Sequence, residues 1–117
     1  MYSKRILVVD DNRDWAEALA AVLADEGHTV QKAYDGGEAL IVAATFRPDI
    51  VLMDLRMPRL TGYDAARVFG RHPKKTRPVL VAITAWPGGS GAEGRDFDHC
   101  LLKPTEPTEI LQLLKSI

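Results

Sequence analysis

The sequence predicts an α/β protein with a five-stranded parallel sheet and helices on both of its faces. Three observations favour this class: continuous apolar runs of strand length recur along the chain, segments of helical periodicity lie between them, and turn residues mark the boundaries. Apolar runs without polar alternation are typical of strands that are covered on both faces. Strands that alternate with helices favour parallel pairing, so we expect a doubly wound sheet.

Five segments have the length and composition of β-strands. Three are the continuous apolar runs 6–9, 50–53 and 79–83, and the other two are the mixed segment 29–33 and the short segment 100–102. The predicted strands cover residues 6–9, 29–33, 50–53, 79–83 and 100–102.

The first two helices are predicted from their periodicity and their end signals. Apolar residues recur at helical spacing after the first strand, at Trp15, Leu19, Val22 and Leu23. Gly27 follows where a left-handed residue would end this helix. Asp35 and Glu38 resemble a capping box at the start of the second helix, and Pro48 sets its end.

Two further helices complete the pattern. Residues 63–71 form the third, and Pro107 begins a last helix over 108–117, with Leu111 and Leu114 facing inward. Between them, residues 86–94 hold four glycines and one proline. Any helix there should be short and poorly nucleated, and we expect a mobile loop.

Length and composition limit the classes of function. The 117 residues accommodate one domain, spanning 1–117, and a net charge of -1 provides no general attraction to nucleic acid or acidic membranes. No apolar run approaches the ~18 residues of a membrane span, and no secretion signal is visible. The single cysteine, Cys100, cannot form an internal disulfide. We therefore expect a cytoplasmic location.

Polar side chains occur where four of the predicted strands end. Asp10, Asp54, Thr84 and Lys103 follow the first, third, fourth and fifth strands, and Asp11 adjoins the first of them. The carboxyl ends of parallel strands meet at one edge of the sheet, where ligands bind. Taken singly, each residue is explained as a turn, cap, strand or surface residue. Their joint occurrence predicts a functional site.

The clustered carboxylates predict a cation site. Closely packed carboxylates repel one another by several kcal/mol at intermediate dielectric, and a hard divalent cation relieves this repulsion. Mg²⁺ fits best because it takes oxygen ligands and is commonly shared between carboxylates and a phosphoryl group. The histidines and the cysteine do not have zinc-ligand spacing.

These motifs together resemble the receiver domain of bacterial two-component response regulators. The matching residues, in order, are Asp10-Asp11, Asp54 followed by Met57-Pro58 and Gly62, Thr84-Ala85 and Lys103-Pro104. The resemblance covers essentially the whole chain, and residues 97–99 with 101–104 are particularly similar to receivers of hybrid sensor histidine kinases. It implies a flavodoxin-like fold with strand order 2-1-3-4-5.

The resemblance also implies the ligands of the metal. Asp11 would bind Mg²⁺ directly and Asp10 through water. Asp54 and the backbone carbonyl of Arg56 would complete the protein ligands. The family commonly has a cis peptide bond at the position of Lys103-Pro104.

The chemical role implied by the resemblance centres on Asp54. This residue would accept a phosphoryl group from a phosphohistidine on a sensor kinase or phosphotransfer protein. Thr84 and Lys103 would bind the phosphoryl oxygens and switch the interactions with a downstream effector, which the sequence does not identify. Such a domain catalyses its own phosphorylation and dephosphorylation but turns over no external substrate.

Three features depart from the family pattern. Cys100 stands where many receivers carry a switching aromatic residue, and we expect it to be a small core residue. Only 19 positions separate Thr84 from Lys103, and the shortening falls in the glycine-rich segment. Arg56 and Trp86 flank the predicted pocket, where bulky groups would hinder the hydrolytic water.

Two other classes of function remain open. One is a phosphatase of the haloacid dehalogenase type, whose two aspartates after the first strand are two positions apart, whereas Asp10 and Asp11 are adjacent. The other is a degenerate receiver that binds a partner without phosphorylation. Both a stand-alone regulator and one domain of a hybrid kinase fit the sequence.

Overall fold

A computed structural model describes residues 3–55, 62–71, 73, 75–84 and 97–117. The described strands are β1 (Arg5–Val9), β2 (Thr29–Ala33), β3 (Ile50–Met53), β4 (Val79–Thr84) and β5 (His99–Leu102). The described helices are α1 (Arg13–Asp25), α2 (Gly36–Phe46), α3 (Gly62–Gly70) and α4 (Pro107–Lys115). The glycine-rich segment that was expected to form a mobile loop lies outside the described residues.

The strands form one parallel sheet in the order β2-β1-β3-β4-β5. Each of the four neighbouring pairs is parallel. This arrangement confirms the predicted fold class and strand order. The order reverses between β1 and β3, which brings the carboxyl ends of these two strands side by side.

Among the described residues, each face of the sheet packs against a different pair of helices. Successive strand residues point to opposite faces, so in β1 Leu7 and Val9 face one cluster while Ile6 and Val8 face the other. The first cluster includes residues of α2 and α3, among them Phe69. The second includes residues of α1 and α4. Coverage of both faces explains why the sequences of β1, β3 and β4 are largely continuous apolar runs.

The helix boundaries follow the signals in the sequence. Gly27 has a φ of 96° just after α1, as expected for a left-handed residue. Asp35 caps α2 by accepting a 2.7 Å hydrogen bond from the Glu38 backbone N–H. The Glu38 carboxylate reaches back to accept a 2.9 Å hydrogen bond from the Tyr34 N–H, just before the N-cap. Arg47 ends α2 with a φ of 53°.

One prediction about burial was wrong. Cys100 is exposed and not part of the core, because it lies on β5, the last strand of the sheet, and three of the four β5 residues are exposed. In α4, Leu111 and Leu114 both face inward as predicted: Leu114 is buried and Leu111 packs, partly buried, against the core, beside the fully buried Ile110. Among the described helices, none combines the length and apolar character needed to cross a membrane.

Candidate functional site

Backbone hydrogen bonds hold the strand ends together at the carboxyl edge of the sheet. The Asp10 N–H donates to the Ala33 carbonyl at 3.1 Å, and the Asp54 N–H donates to the Val9 carbonyl at 2.9 Å. These bonds continue the pairing of β1 one residue beyond the strands. The backbones of the two aspartates are therefore fixed by the sheet.

Three carboxylates converge at this edge. Asp10, Asp11 and Asp54 each offer one oxygen, and these oxygens lie within 4.8 Å of one another. Asp10 is buried and Asp54 half-buried, whereas Asp11 is exposed. At this separation two carboxylates repel by about 3 kcal/mol with an effective dielectric constant of ~20. An all-oxygen set of this kind fits Mg²⁺, which prefers carboxylate and water ligands.

Lys103 lies beside these carboxylates. Its Nζ is 2.8 Å from Asp10 Oδ2 and 3.7 Å from Asp54 Oδ2. Burial by itself would lower the pKa of the Lys103 ammonium, but the hydrogen bond to Asp10 and the charges of Asp10 and Asp54 outweigh this effect. The pKa therefore lies above its ordinary value, and Lys103 is a cation at neutral pH.

The two oxygens of Asp10 have different partners. Oδ1 accepts from the Asn12 backbone N–H at 2.9 Å, and Oδ2 accepts from Lys103. Asn12 in turn caps α1 by accepting from the Trp15 N–H at 3.1 Å. The turn and helix cap that the sequence suggested here are thus present, and they orient Asp10. Asp11 is left at the surface of the site.

Thr84 and Lys103 are joined through the backbone. Thr84 is buried at the end of β4, and its carbonyl accepts a 2.8 Å hydrogen bond from the Lys103 N–H. The Lys103-Pro104 peptide bond is cis. Arg56 and Trp86, which were expected to contribute a carbonyl ligand and to modulate the site, lie outside the described residues.

Trp15 is a site residue that sequence reasoning placed only by its apolar spacing. The Lys103 Nζ lies 5.0 Å from the centroid of the Trp15 ring, within cation–π range. The sequence did contain one signal for this role, the position of Trp15 in the first turn of α1. Because α1 begins right after Asp11 and Asn12, its first turn lies beside the carboxyl edge of the sheet.

The chain matches one protein family over most of its length. The sequence model described as "Response regulator receiver domain" matches residues 6–115. Protein PilH of Pseudomonas aeruginosa is 34% identical over 121 residues, which cover 97% of this chain and 96% of PilH. Response regulator MprA of Mycobacterium tuberculosis is 37% identical over 98% of this chain, which spans only 50% of MprA.

Solved structures agree with this relationship. Chemotaxis response regulator CheY4 of Vibrio cholerae superposes with a TM-score of 0.88 at 26% identity, covering 98% of both chains. Response regulator TrrA of Thermotoga maritima, in complex with Mg²⁺ and BeF, gives a TM-score of 0.86 at 30% identity over 97% of both chains. The chain belongs to the response regulator receiver domains, the signalling modules of two-component systems.

Proposed function

We propose that Asp54 accepts a phosphoryl group from a phosphohistidine of a sensor histidine kinase or phosphotransfer protein. The observation that carries this proposal is the Lys103 ammonium, whose Nζ lies within 4 Å of both the Asp10 and the Asp54 carboxylates. The modification would change how the domain binds a downstream effector. We place this reaction in the cytoplasm and assign it to a single domain over residues 1–117.

Magnesium binding is part of the proposal. Asp10, Asp11 and Asp54 would hold the cation, with Asp11 the most accessible of the three. The bound cation would offset the negative charge of the carboxylates and of the incoming phosphoryl oxygens. The complex of the related receiver TrrA with Mg²⁺ and BeF supports this assignment.

The transfer itself needs little beyond positioning and charge neutralisation. A carboxylate oxygen of Asp54 would form the new bond to phosphorus as the bond from phosphorus to the histidine nitrogen breaks. Lys103, with its Nζ 3.7 Å from Asp54 Oδ2, would neutralise developing charge on the phosphoryl oxygens. The Thr84 hydroxyl would donate a hydrogen bond to the same group.

The test is phosphorylation by a small phosphodonor in the presence of Mg²⁺. The wild type should gain one hydroxylamine-labile phosphoryl group, as expected for an acyl phosphate, and Asp54→Asn should gain none. Asp25→Asn is the matched control, because Asp25 is an exposed carboxylate at the far end of α1. Full labelling of the Asp54→Asn variant would contradict the assignment.

The same experiment separates the alternatives. Multiple-turnover hydrolysis of phosphate esters would indicate a phosphatase. Binding of Mg²⁺ without any adduct would indicate a receiver that acts without phosphorylation. The observation that favours a receiver acting without phosphorylation is the exposed Cys100, which occupies the position where many receivers carry a switching aromatic residue.

A further inference from the structure

Helix α2 exposes apolar side chains beside those that it packs against the core. After Glu38 the helix contains no charged residue through Phe46. Ile41 is 75% exposed, and Ala44, one turn further along, is also exposed. A surface helix ordinarily presents polar residues to solvent. Large exposed apolar groups that adjoin a concave surface are typical of binding sites.

A groove runs beside this surface, between α2, α3 and the chain that precedes β4. Its volume is about 770 Å³. The apolar wall includes Leu40 and Ala43 of α2 and Val68 and Phe69 of α3. Leu40 and Ala44 line the groove, and Ile41 lies next to Leu40 and one helical turn before Ala44, so it stands beside the groove without lining it.

The rim of the groove is basic. Arg47, Lys75 and Arg77 line it, and all three are exposed. The carboxylate of Asp49 also lines it, but its Oδ2 already accepts a 2.8 Å hydrogen bond from the Arg5 N–H. This local excess of positive charge contrasts with the net charge of -1 of the whole chain. Arg47 lies at the end of α2, where a positive charge interacts favourably with the helix dipole. Lys75 and Arg77 precede β4 and lie outside the described helices, so the helix dipole does not account for them.

The groove is remote from the carboxylate cluster. Asp49 and Pro78 line it, and these residues immediately precede β3 and β4. The groove therefore opens at the amino edge of the sheet, whereas Asp10 and Asp54 follow the carboxyl ends of β1 and β3. A ligand in the groove would not contact the phosphoacceptor.

We infer that this groove docks an acidic amphipathic helix of a partner protein. Apolar side chains on one face of such a helix would enter the groove and cover Ile41, and flanking Asp or Glu side chains would pair with Lys75 and Arg77. The concave wall fits a helix better than the flat surface of a bilayer. The docking would be independent of phosphorylation at Asp54.

The test uses a fluorescent synthetic helix with leucines at positions i, i+3, i+4 and i+7 and glutamates on its flanks. Fluorescence anisotropy should show saturable binding that weakens with salt, and a scrambled peptide of the same composition should bind at least about tenfold more weakly. Ile41→Glu and the double variant Lys75→Glu/Arg77→Glu should each reduce affinity about tenfold or more. Ile41 is largely exposed, so its replacement should leave the fold intact.

Matched controls separate this surface from the phosphorylation site. Leu102→Glu changes the other large exposed apolar residue among those described, at 52% exposure, and should leave peptide affinity unchanged. The groove variants should retain labelling at Asp54, so failure of the docking proposal is distinguishable from failure of the phosphoacceptor proposal.

Four outcomes would overturn the inference. They are absence of peptide binding, equal binding of the scrambled peptide, preferential binding to anionic lipid vesicles, and self-association through this groove in sedimentation experiments. The last two would assign the surface to a membrane or to a second copy of this chain.

Discussion

Replacing Lys103 by methionine should destabilise the protein when no divalent cation is present. Lys103 Nζ lies 2.8 Å from Asp10 Oδ2, and Asp10 is 1% exposed. Methionine retains much of the apolar length of the side chain but removes its charge. The Asp10 carboxylate would then keep its hydrogen bond from the Asn12 N–H and lose its cation.

The expected loss is about 2 kcal/mol in the free energy of unfolding. A hydrogen bond to a charged group contributes ~1.5–3 kcal/mol, and removal of one partner from a fully buried ion pair costs ~3–5 kcal/mol. The Lys103 side chain is 23% exposed, so water can approach the Asp10 carboxylate after the substitution. The range of ~1.5–3 kcal/mol for a hydrogen bond to a charged group therefore applies. The remaining repulsion within the carboxylate cluster acts in the same direction.

The assay is urea denaturation at neutral pH in a chelator and again in saturating Mg²⁺. Bound Mg²⁺ should reduce the difference in the free energy of unfolding between variant and wild type, because it supplies positive charge in place of the lost ammonium. Thermodynamic linkage then requires that Lys103→Met binds Mg²⁺ more tightly than the wild type does. The affinity should rise about fivefold for each ~1 kcal/mol by which Mg²⁺ reduces the difference in unfolding free energy.

Lys32→Met provides the matched control, because Lys32 is an exposed lysine on β2. Its effect should lie within about 0.5 kcal/mol of zero. If Lys103→Met in chelator were as mild as this control, the charge of Lys103 would not compensate Asp10, and the reasoning would be refuted.

Three further predictions concern the metal site and the helix ends. Asp11→Ala should weaken Mg²⁺ binding strongly in titration calorimetry and Lys103→Ala should not, because only the first removes a carboxylate of the cluster; equal losses would contradict this division of roles. Gly27→Ala should lower stability by about 1 kcal/mol, since Gly27 has a φ of 96°, whereas Gly70→Ala, with no atom within 4 Å of the added carbon, should be neutral or slightly stabilising; similar midpoints in thermal unfolding would argue against backbone strain. Asp35→Ala should cost about 1 kcal/mol in urea denaturation by removing the cap on the Glu38 N–H, and an unchanged midpoint would show that the cap contributes little.

The secondary structure was largely predictable because its determinants are local. Apolar runs, the glycine after α1, the aspartate that caps α2 and the proline that begins α4 each act within a few residues. The convergence of Asp10 and Asp54 was also predictable, because parallel strands place their carboxyl ends at the same edge of a sheet. The resemblance to receivers supplied the strand order.

Burial at the edge of the sheet required the tertiary structure. The apolar run 100–102 resembles a core strand, yet Cys100 and Leu102 are exposed because β5 is the last strand. In α4 the helical period permits more than one inward face, and packing against the sheet selected Ile110 and Leu114.

The sequence by itself determined the fold class and the residue types of the candidate site, because strand length, helical period and turn chemistry are properties of neighbouring residues. Only the tertiary structure placed the Trp15 ring 5.0 Å from Lys103 Nζ and formed a groove between α2 and α3. Residues 88 positions apart make the first contact, and no local pattern encodes it. Periodicity defines which side chains share a face, whereas the packing of distant segments decides what covers that face and what remains open to a partner.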